Sequence, residues 1–130
     1  MHTPYETIVK HKADFRVKYR FRSEAEGGRK TLPFQGIRFD FSYQAEDGSE
    51  LYIVWPEFED ANGNVILEND LPVPHEGTAL MWVVIPERRI VHKEKIKIGV
   101  KGFFHEGIRV AECEIIEVMD LFVNPIQSRY

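Results

Sequence analysis

The chain has 130 residues and a single cysteine, Cys113, which excludes an intrachain disulfide and a zinc site built from several cysteines. Its formal net charge of −4 combines nine basic and four acidic residues over residues 1–38 (+5) with two basic and eleven acidic residues over residues 39–90 (−9). This length predicts one domain with its own core, and the acidic balance argues against non-specific nucleic-acid binding. No apolar run approaches about 18 residues and the first residues do not resemble a signal peptide, so we expect a cytoplasmic protein without a membrane span.

Alternation with period two dominates the chain. From Phe15 to Arg22, odd positions are apolar and even positions are cationic, which predicts a strand with its cations on one outer face. Turn signals such as Asn62-Gly63 separate the alternating runs and no window has a sustained helical period. Six or seven strands at this spacing are typical of an all-β sandwich or small barrel. The further predicted strands cover residues 39–43, 51–58, 78–85, 96–104 and 108–119.

A second signal lies in three turn motifs. The first is Glu26–Thr31 with Gly-Gly-Arg at its centre, followed by Pro33-Phe34 and by a Gly-Ile-Arg strand. The others are the Pro-Gly turn at residues 71–77 and the Glu-Gly hairpin at residues 104–110. In order and spacing, these motifs resemble the C-terminal (third) domain of bacterial elongation factor Tu, here as a stand-alone domain.

The resemblance covers about residues 14–119 and implies a six-stranded antiparallel β-barrel. With the strand count from alternation, we therefore expect a six- to seven-stranded antiparallel barrel. Residues 1–13 are then an N-terminal extension and residues 120–130 a C-terminal tail, and we expect the first dozen residues and the tail from Asn124 to be loosely held. The segment 45–71 is longer than in that family. No Gly-x-x-x-x-Gly-Lys-Ser/Thr loop is present, so GTP binding in the family's manner is not expected.

In that family, the barrel contacts the backbone of aminoacyl-tRNA through the Gly-Gly-Arg turn and the last hairpin. Here Arg29 and Gly107 match the contact positions, and Lys30 replaces a histidine. Asp40 stands where the family has a glutamine, and Ile108 stands where it has a second glycine. Because Asp40 repels phosphate, the resemblance implies the fold more strongly than the tRNA contact.

The residues themselves suggest a basic binding site. Arg29 and Lys30, with exposed amides of Gly27 and Gly28, are candidates to bind phosphate, and the alternative is a solvated turn. The row Arg16, Lys18, Arg20 and Arg22, called the basic row below, either extends this site or binds an acidic partner. Its alternatives are a charged edge strand or a strand paired with the acidic middle of the chain.

Other residues give weaker signals. Trp55 precedes Pro56 at a strand end and is a candidate for a partner interface, whereas Trp82 and Cys113 are expected in the core. His75 and His105 each precede Glu-Gly, which suggests either polar turn caps or a metal or acid–base site.

We therefore expect a non-catalytic binding module that contacts another protein, either a translation component or a second copy of the chain. The alternative is a module that binds the backbone of a tRNA-like RNA through Gly28, Arg29, Lys30, Gly107 and the basic row. A third hypothesis is a small metal-dependent or hydrolytic enzyme. No cofactor, bound metal or catalytic residue is predicted.

Overall fold

The computed structural model describes residues 1–128. Within them, six strands and two short helices form one sheet-based domain, and two 3₁₀ turns lie at Glu24–Glu26 and Pro86–Arg88. The strands are β1 (Phe15–Phe21), β2 (Asp40–Tyr43), β3 (Val54–Phe58), β4 (Glu76–Val83), β5 (Lys101–His105) and β6 (Arg109–Val118), and the helices are α1 (Tyr5–Val9) and α2 (Arg89–Lys95).

All six strands belong to one antiparallel sheet in the order β2-β5-β6-β1-β4-β3. The two end strands come together where Phe41 of β2 and Tyr52, just before β3, exchange backbone hydrogen bonds of 2.9 and 2.8 Å. This single bridge joins the ends of the curled sheet. The fold is therefore all-β and barrel-like, which confirms the fold class expected from alternation.

The core lies inside the curl and is strongly aromatic. Phe15, Val17, Tyr19 and Phe21 all point inward from β1, as the alternation predicts. A glycine at position 102 allows β2 and β5 to pack closely, because a side chain there would lie 2.6 Å from the carbonyl oxygen of Ser42. The other inward aromatic side chains are Phe39, Phe41, Tyr43, Tyr52, Phe58 and Phe104.

The ends of the domain are held against the sheet, so the expectation of loosely held ends is wrong for the first dozen residues and for Asn124. His2 is buried and hydrogen-bonded, and residues 1–12, called the strap below, run over the outer face of β3 and β4. In the tail, Leu121 is fully buried and Asn124 donates to Asp14 and to the carbonyl of Lys12. Residues 129 and 130 of the predicted tail lie outside the described residues.

The strand predicted over residues 96–104 is also wrong in its first half. Helix α2 occupies Arg89–Lys95, and β5 begins only at Lys101. The two residues that α2 buries are Arg89 and His92, which are polar. Because the buried face of α2 is polar, the sequence lacks the apolar helical period from which a helix is predicted.

Candidate functional site

The basic row lies on the outer face of β1, in the middle of the sheet rather than at its edge. Its cations are paired with glutamates, mainly of the neighbouring strand β6. The ion pairs join Arg16 to Glu59 (2.9 Å) and Glu117, Lys18 to Glu114 (3.9 Å), Arg20 to Glu112 (3.2 Å) and Glu26 (3.0 Å), and Arg22 to Glu112 (3.7 Å).

These ion pairs, called the ladder below, correct two of the alternatives proposed for the basic row. The row is not an edge strand, and its partners come mostly from the last third of the chain, with Glu59 as the member of the acidic middle. The hydrogen bond from Arg20, with further bonds from Ser23, lowers the pKa of Glu26 to about 2. Since the cations already face carboxylates, the outer face of β1 offers much less positive charge to a polyanion than the sequence suggests.

The Gly-Gly-Arg turn is closed by its own backbone. The amide of Gly27 donates to the carbonyl of Glu24 (3.0 Å), and that of Gly28 donates to the carbonyl of Ser23 (2.8 Å). The expectation that these amides help to bind phosphate is therefore wrong. Gly28 has a steric role instead, because a Cβ there would lie 2.3 Å from the carbonyl oxygen of Arg22.

Arg29 connects the first and third turn motifs. Its Nη1 lies 3.2 Å from Oε2 of Glu106, in the hairpin whose tip is Gly107 at φ 74°. Its Nε also donates to the carbonyl of Thr31 (3.1 Å). The structure thus brings Arg29 to the hairpin that carries Gly107, through a glutamate that neutralises the arginine.

Next to this turn lies a small groove of about 200 Å³, called the basic groove below. Arg22, Arg29, Lys30 and His75 line it, together with Glu24. His75 reaches the groove because the amide of Phe21 pairs with the His75 carbonyl (2.9 Å), which holds the start of β4 against the end of β1. Sequence reasoning placed His75 in a different cluster, because that pairing joins residues far apart in the chain.

An apolar groove of about 560 Å³ adjoins the basic groove and shares Arg29, Thr31 and Leu32 with it. Phe34 lies along this groove with 49% of its surface exposed, held by an isolated bridge to Pro72. A planar apolar side chain beside cations is an arrangement that stacks on bases or aromatic rings.

A third groove of about 560 Å³ crosses the outer face above the ladder. Lys18, Lys101, Glu76 and Glu114 line it, and Phe103 adds an apolar side chain. Charges of both signs alternate across it, so no single ionic ligand is favoured there.

The histidine cluster suggested by the two His-Glu-Gly turns is not formed. His75 lies just before β4 and His105 ends β5, and the sheet order sets β6 and β1 between those strands. Two strands therefore lie between the two histidines in the sheet. Within residues 1–128, no group of three or more His, Cys, Asp or Glu side chains is arranged to hold a metal ion.

His105 instead meets Ser42, with 2.6 Å between Nε2 and the Ser42 hydroxyl. Burial, followed by the charge of Arg109, lowers the pKa of His105. Ser42 has no exposed surface, so its hydroxyl cannot reach a substrate. Cys113 is likewise buried, and burial raises the pKa of its thiol, which disfavours the reactive thiolate.

A buried carboxylate organises the outer face of β3 and β4, at the end of the sheet that carries the strap. Glu57 is 1% exposed and accepts hydrogen bonds from the His2 imidazole (2.6 Å), the Tyr5 amide (2.9 Å) and the Trp82 indole (3.1 Å). Trp82 is therefore buried as expected, but against the strap and Glu57 rather than in the barrel interior. Nothing in the sequence pattern marks His2 or Glu57 as buried.

Trp55 is half-buried beside this cluster. The guanidinium of Arg38 lies 4.4 Å from the centre of the Trp55 ring, and the Tyr5 ring lies 6.4 Å away. Leu51, Ile53 and Val84 lie close along the chain and sheet, with 47%, 45% and 36% of their surfaces exposed. The Val84 amide donates to the Ile53 carbonyl (3.3 Å), so these two residues are cross-strand neighbours. Leu51, Ile53, Trp55 and Val84 are called the apolar patch below.

Among residues 1–128, no helix has both the length and the apolar character required to cross a bilayer. Comparison of the chain with models of known protein families gives no match, and comparison with curated proteins gives none either.

Proposed function

We propose that this protein is a non-catalytic binding module whose main contact is another protein, made through the apolar patch. One observation carries the proposal. Three exposed aliphatic side chains lie beside the half-buried Trp55, where the chain enters the end strand β3 and leaves its neighbour β4. Exposed apolar side chains that cluster, rather than scatter, are typical of protein interfaces.

The position of the apolar patch supports this proposal. Leu51 and Ile53 alternate with Tyr52 and Val54, whose side chains are buried in the core, so the exposed pair points away from the barrel. Trp55 follows in the same alternation and is the kind of large, rigid anchor that carries much of the energy in protein complexes.

Affinity capture with matched variants tests the proposal. The bait proteins are the wild type, Ile53→Asp, and the control Ile98→Asp, which changes an aliphatic side chain with 72% of its surface exposed outside the patch. We expect a protein from the source cells that the wild type and the Ile98 variant retain and the Ile53 variant loses. Equal capture by all three baits contradicts an interface at the patch.

A second function, binding of an RNA backbone, is favoured by the two adjoining grooves at the Gly-Gly-Arg turn. Lys30 places a second cation in the groove beside Arg29, and Phe34 offers a ring for base stacking in the neighbouring groove. The ladder of ion pairs on the basic row counts against a larger RNA footprint. RNA binding is therefore the secondary proposal, confined to this end of the sheet.

Titration with tRNA at two salt concentrations separates the two functions. Contact through the basic groove predicts binding that weakens steeply with salt and is reduced by Lys30→Ala and by Phe34→Ala. Lys97→Ala, which removes an exposed cation far along the chain, serves as the control. No binding at low salt contradicts the secondary proposal and leaves the protein interface standing.

We further propose that the barrel is related to the third domain of elongation factor Tu and works in the cytoplasm with a translation component. The support is the order of the three turn motifs, together with the Arg29–Glu106 contact (3.2 Å) between the first and the third. Mass spectrometric identification of the captured protein tests the proposal. A ribosomal protein or translation factor is expected, and a partner from another process contradicts this part of the proposal.

A further inference from the structure

The strap is fixed to the barrel at few points. His2 is its main anchor, with its imidazole on Glu57 (2.6 Å) and its amide on the carbonyl of Leu67 (2.7 Å). Tyr5 is the second anchor, through its amide on Glu57 (2.9 Å) and its ring, which lies 5.9 Å from that of Trp82. The strap therefore contacts Glu57 on β3, Trp82 on β4 and Leu67 in the loop after β3.

The receiving site belongs to the sheet. Trp55, Glu57 and Trp82, called the socket below, lie on β3 and β4, and the Trp82 indole holds one oxygen of Glu57 (3.1 Å). If the strap leaves, Glu57 loses two of its three hydrogen-bond donors and both indoles gain exposure. An empty socket therefore favours a segment that restores these hydrogen bonds and covers the two indole rings again.

Residues 6–10 of the strap are exposed, and the strap contacts the socket again at His11, whose ring lies 5.8 Å from that of Trp82. Helix α1 has five residues, none of them buried, and its N-terminal end has no side-chain cap. It ends at Lys10, whose φ of 63° and ψ of 34° make it the sole non-glycine residue with positive φ among residues 1–128. This conformation is unfavourable for lysine, and here it ends α1, with the Lys10 amide donating to the Glu6 carbonyl (2.9 Å), and sets the direction in which the strap leaves the barrel.

We propose that the strap of one copy of this chain also docks in the socket of a second copy, so that two copies exchange straps and form a dimer. A second copy is the occupant because its strap carries the same imidazole, amide and tyrosine ring whose fit to the socket is already seen within one chain. Exchange of a terminal segment between identical chains is a low-cost route to a dimer. The inference stands on the hydrogen bonds of His2 and Tyr5 to Glu57, and the socket shares only Trp55 with the apolar patch, so Ile53→Asp tests the patch without changing the socket.

Two substitutions at the exposed Lys10 shift the exchange in opposite directions without touching the barrel. Lys10→Pro cannot adopt a φ of 63°, so it disfavours the strap's return to its own socket and raises the dimer fraction. Lys10→Gly adopts that φ without strain and favours the closed monomer, by about fivefold per strap. Size-exclusion chromatography with light scattering, from micromolar to millimolar protein, measures both.

Mixing two defective full-length proteins identifies the contact. His2→Ala lacks the anchor and keeps the socket, whereas Glu57→Gln keeps the strap and places an amide donor where two donors already point. An equimolar mixture, with one protein ¹⁵N-labelled, is expected to give a mixed dimer in native mass spectrometry, and each protein alone is expected to give much less dimer. Circular dichroism confirms that both variants keep the sheet.

Two results overturn the inference. The first is that the wild type and Lys10→Pro both stay monomeric at millimolar concentration. The other is a dimer that His2→Ala and Glu57→Gln form alone as readily as in the mixture, since that dimer uses a different surface.

Discussion

Asp14 and Arg89 form an ion pair that is sealed from solvent, with Arg89 Nε 2.7 Å from Asp14 Oδ1 and relative side-chain exposures of 2% and 0%. The same carboxylate accepts the amide of Val83 (2.8 Å) and the side chain of Asn124 (2.9 Å), and Arg89 also donates to the carbonyl of Pro125. One buried cluster thus ties the start of β1 to the end of β4, to α2 and to the tail.

Arg89→Met is expected to destabilise the protein by about 3–5 kcal/mol, because it leaves the Asp14 carboxylate buried without its counter-charge. The matched control is Arg88→Met, which removes an exposed ion pair with Glu50 and is expected to cost less than about 1 kcal/mol. Urea denaturation monitored by tryptophan fluorescence measures both. If Arg89→Met and Arg88→Met lose similar amounts of unfolding free energy, Arg89 is not a buried structural cation.

The stability of the protein is expected to fall between pH 6.5 and pH 4 because of His92. Burial, followed by the charge of Arg88, lowers the pKa of His92 to about 4, and its Nδ1 meets the Tyr43 hydroxyl at 2.5 Å. The unfolded chain therefore binds more protons in this range, so the stabilisation by neutral His92 is complete above pH 6.5 and is lost as the pH falls.

Comparison of unfolding free energies at pH 7 and pH 4.5 isolates this contribution. The wild type is expected to lose roughly 2–3 kcal/mol more than His92→Gln over this interval. His75→Gln changes an exposed histidine and is expected to behave like the wild type. An unchanged pH dependence in the His92 variant excludes this histidine as the source.

Removing one glutamate from the ladder is expected to increase affinity for polyanions. Glu112 faces both Arg20 (3.2 Å) and Arg22 (3.7 Å), so Glu112→Gln leaves two cations less compensated. Elution from heparin should then require more salt than elution of Glu68→Gln, which removes the same charge from an exposed loop. Identical elution of the two variants means that the ladder does not mask the basic row.

Gly28→Ala is expected to destabilise the protein by about 1–3 kcal/mol, because its methyl group meets the Arg22 backbone. Gly63→Ala is the control, since its φ of 79° is strained for alanine but no other atom lies within 4 Å of the added Cβ. Thermal unfolding compares the two variants. A loss no greater than that of the control shows that β1 and the Gly-Gly turn can move apart.

Much of the fold can be predicted from local pattern alone. The alternation over Phe15–Phe21 marks β1 because every inward side chain is apolar and every outward one is charged. Helix α2 and the strap cannot be found in this way, since their buried residues are Arg89, His92 and His2. Their burial depends on carboxylates and a phenol supplied by distant strands.

The candidate sites also divide into residues that local pattern identifies and contacts that depend on distant strands. The sequence identifies the cations of the basic row but not their glutamates, because the pairing depends on the register of β6 beside β1. Likewise, Trp55 is recognisable as a candidate interface residue, whereas its packing beneath Arg38 and Tyr5 depends on the strap. His75 joins the basic groove only through the pairing of Phe21 with the start of β4.

Site-specific photo-crosslinking in the source cells tests the protein interface most directly. A benzophenone side chain replaces Ile53 in the apolar patch or, as the control, Ile98, both of which are exposed. The account predicts a discrete crosslinked protein, either another protein or a second copy, from position 53 and not from position 98. The same adducts from both positions, or none from position 53, contradict it.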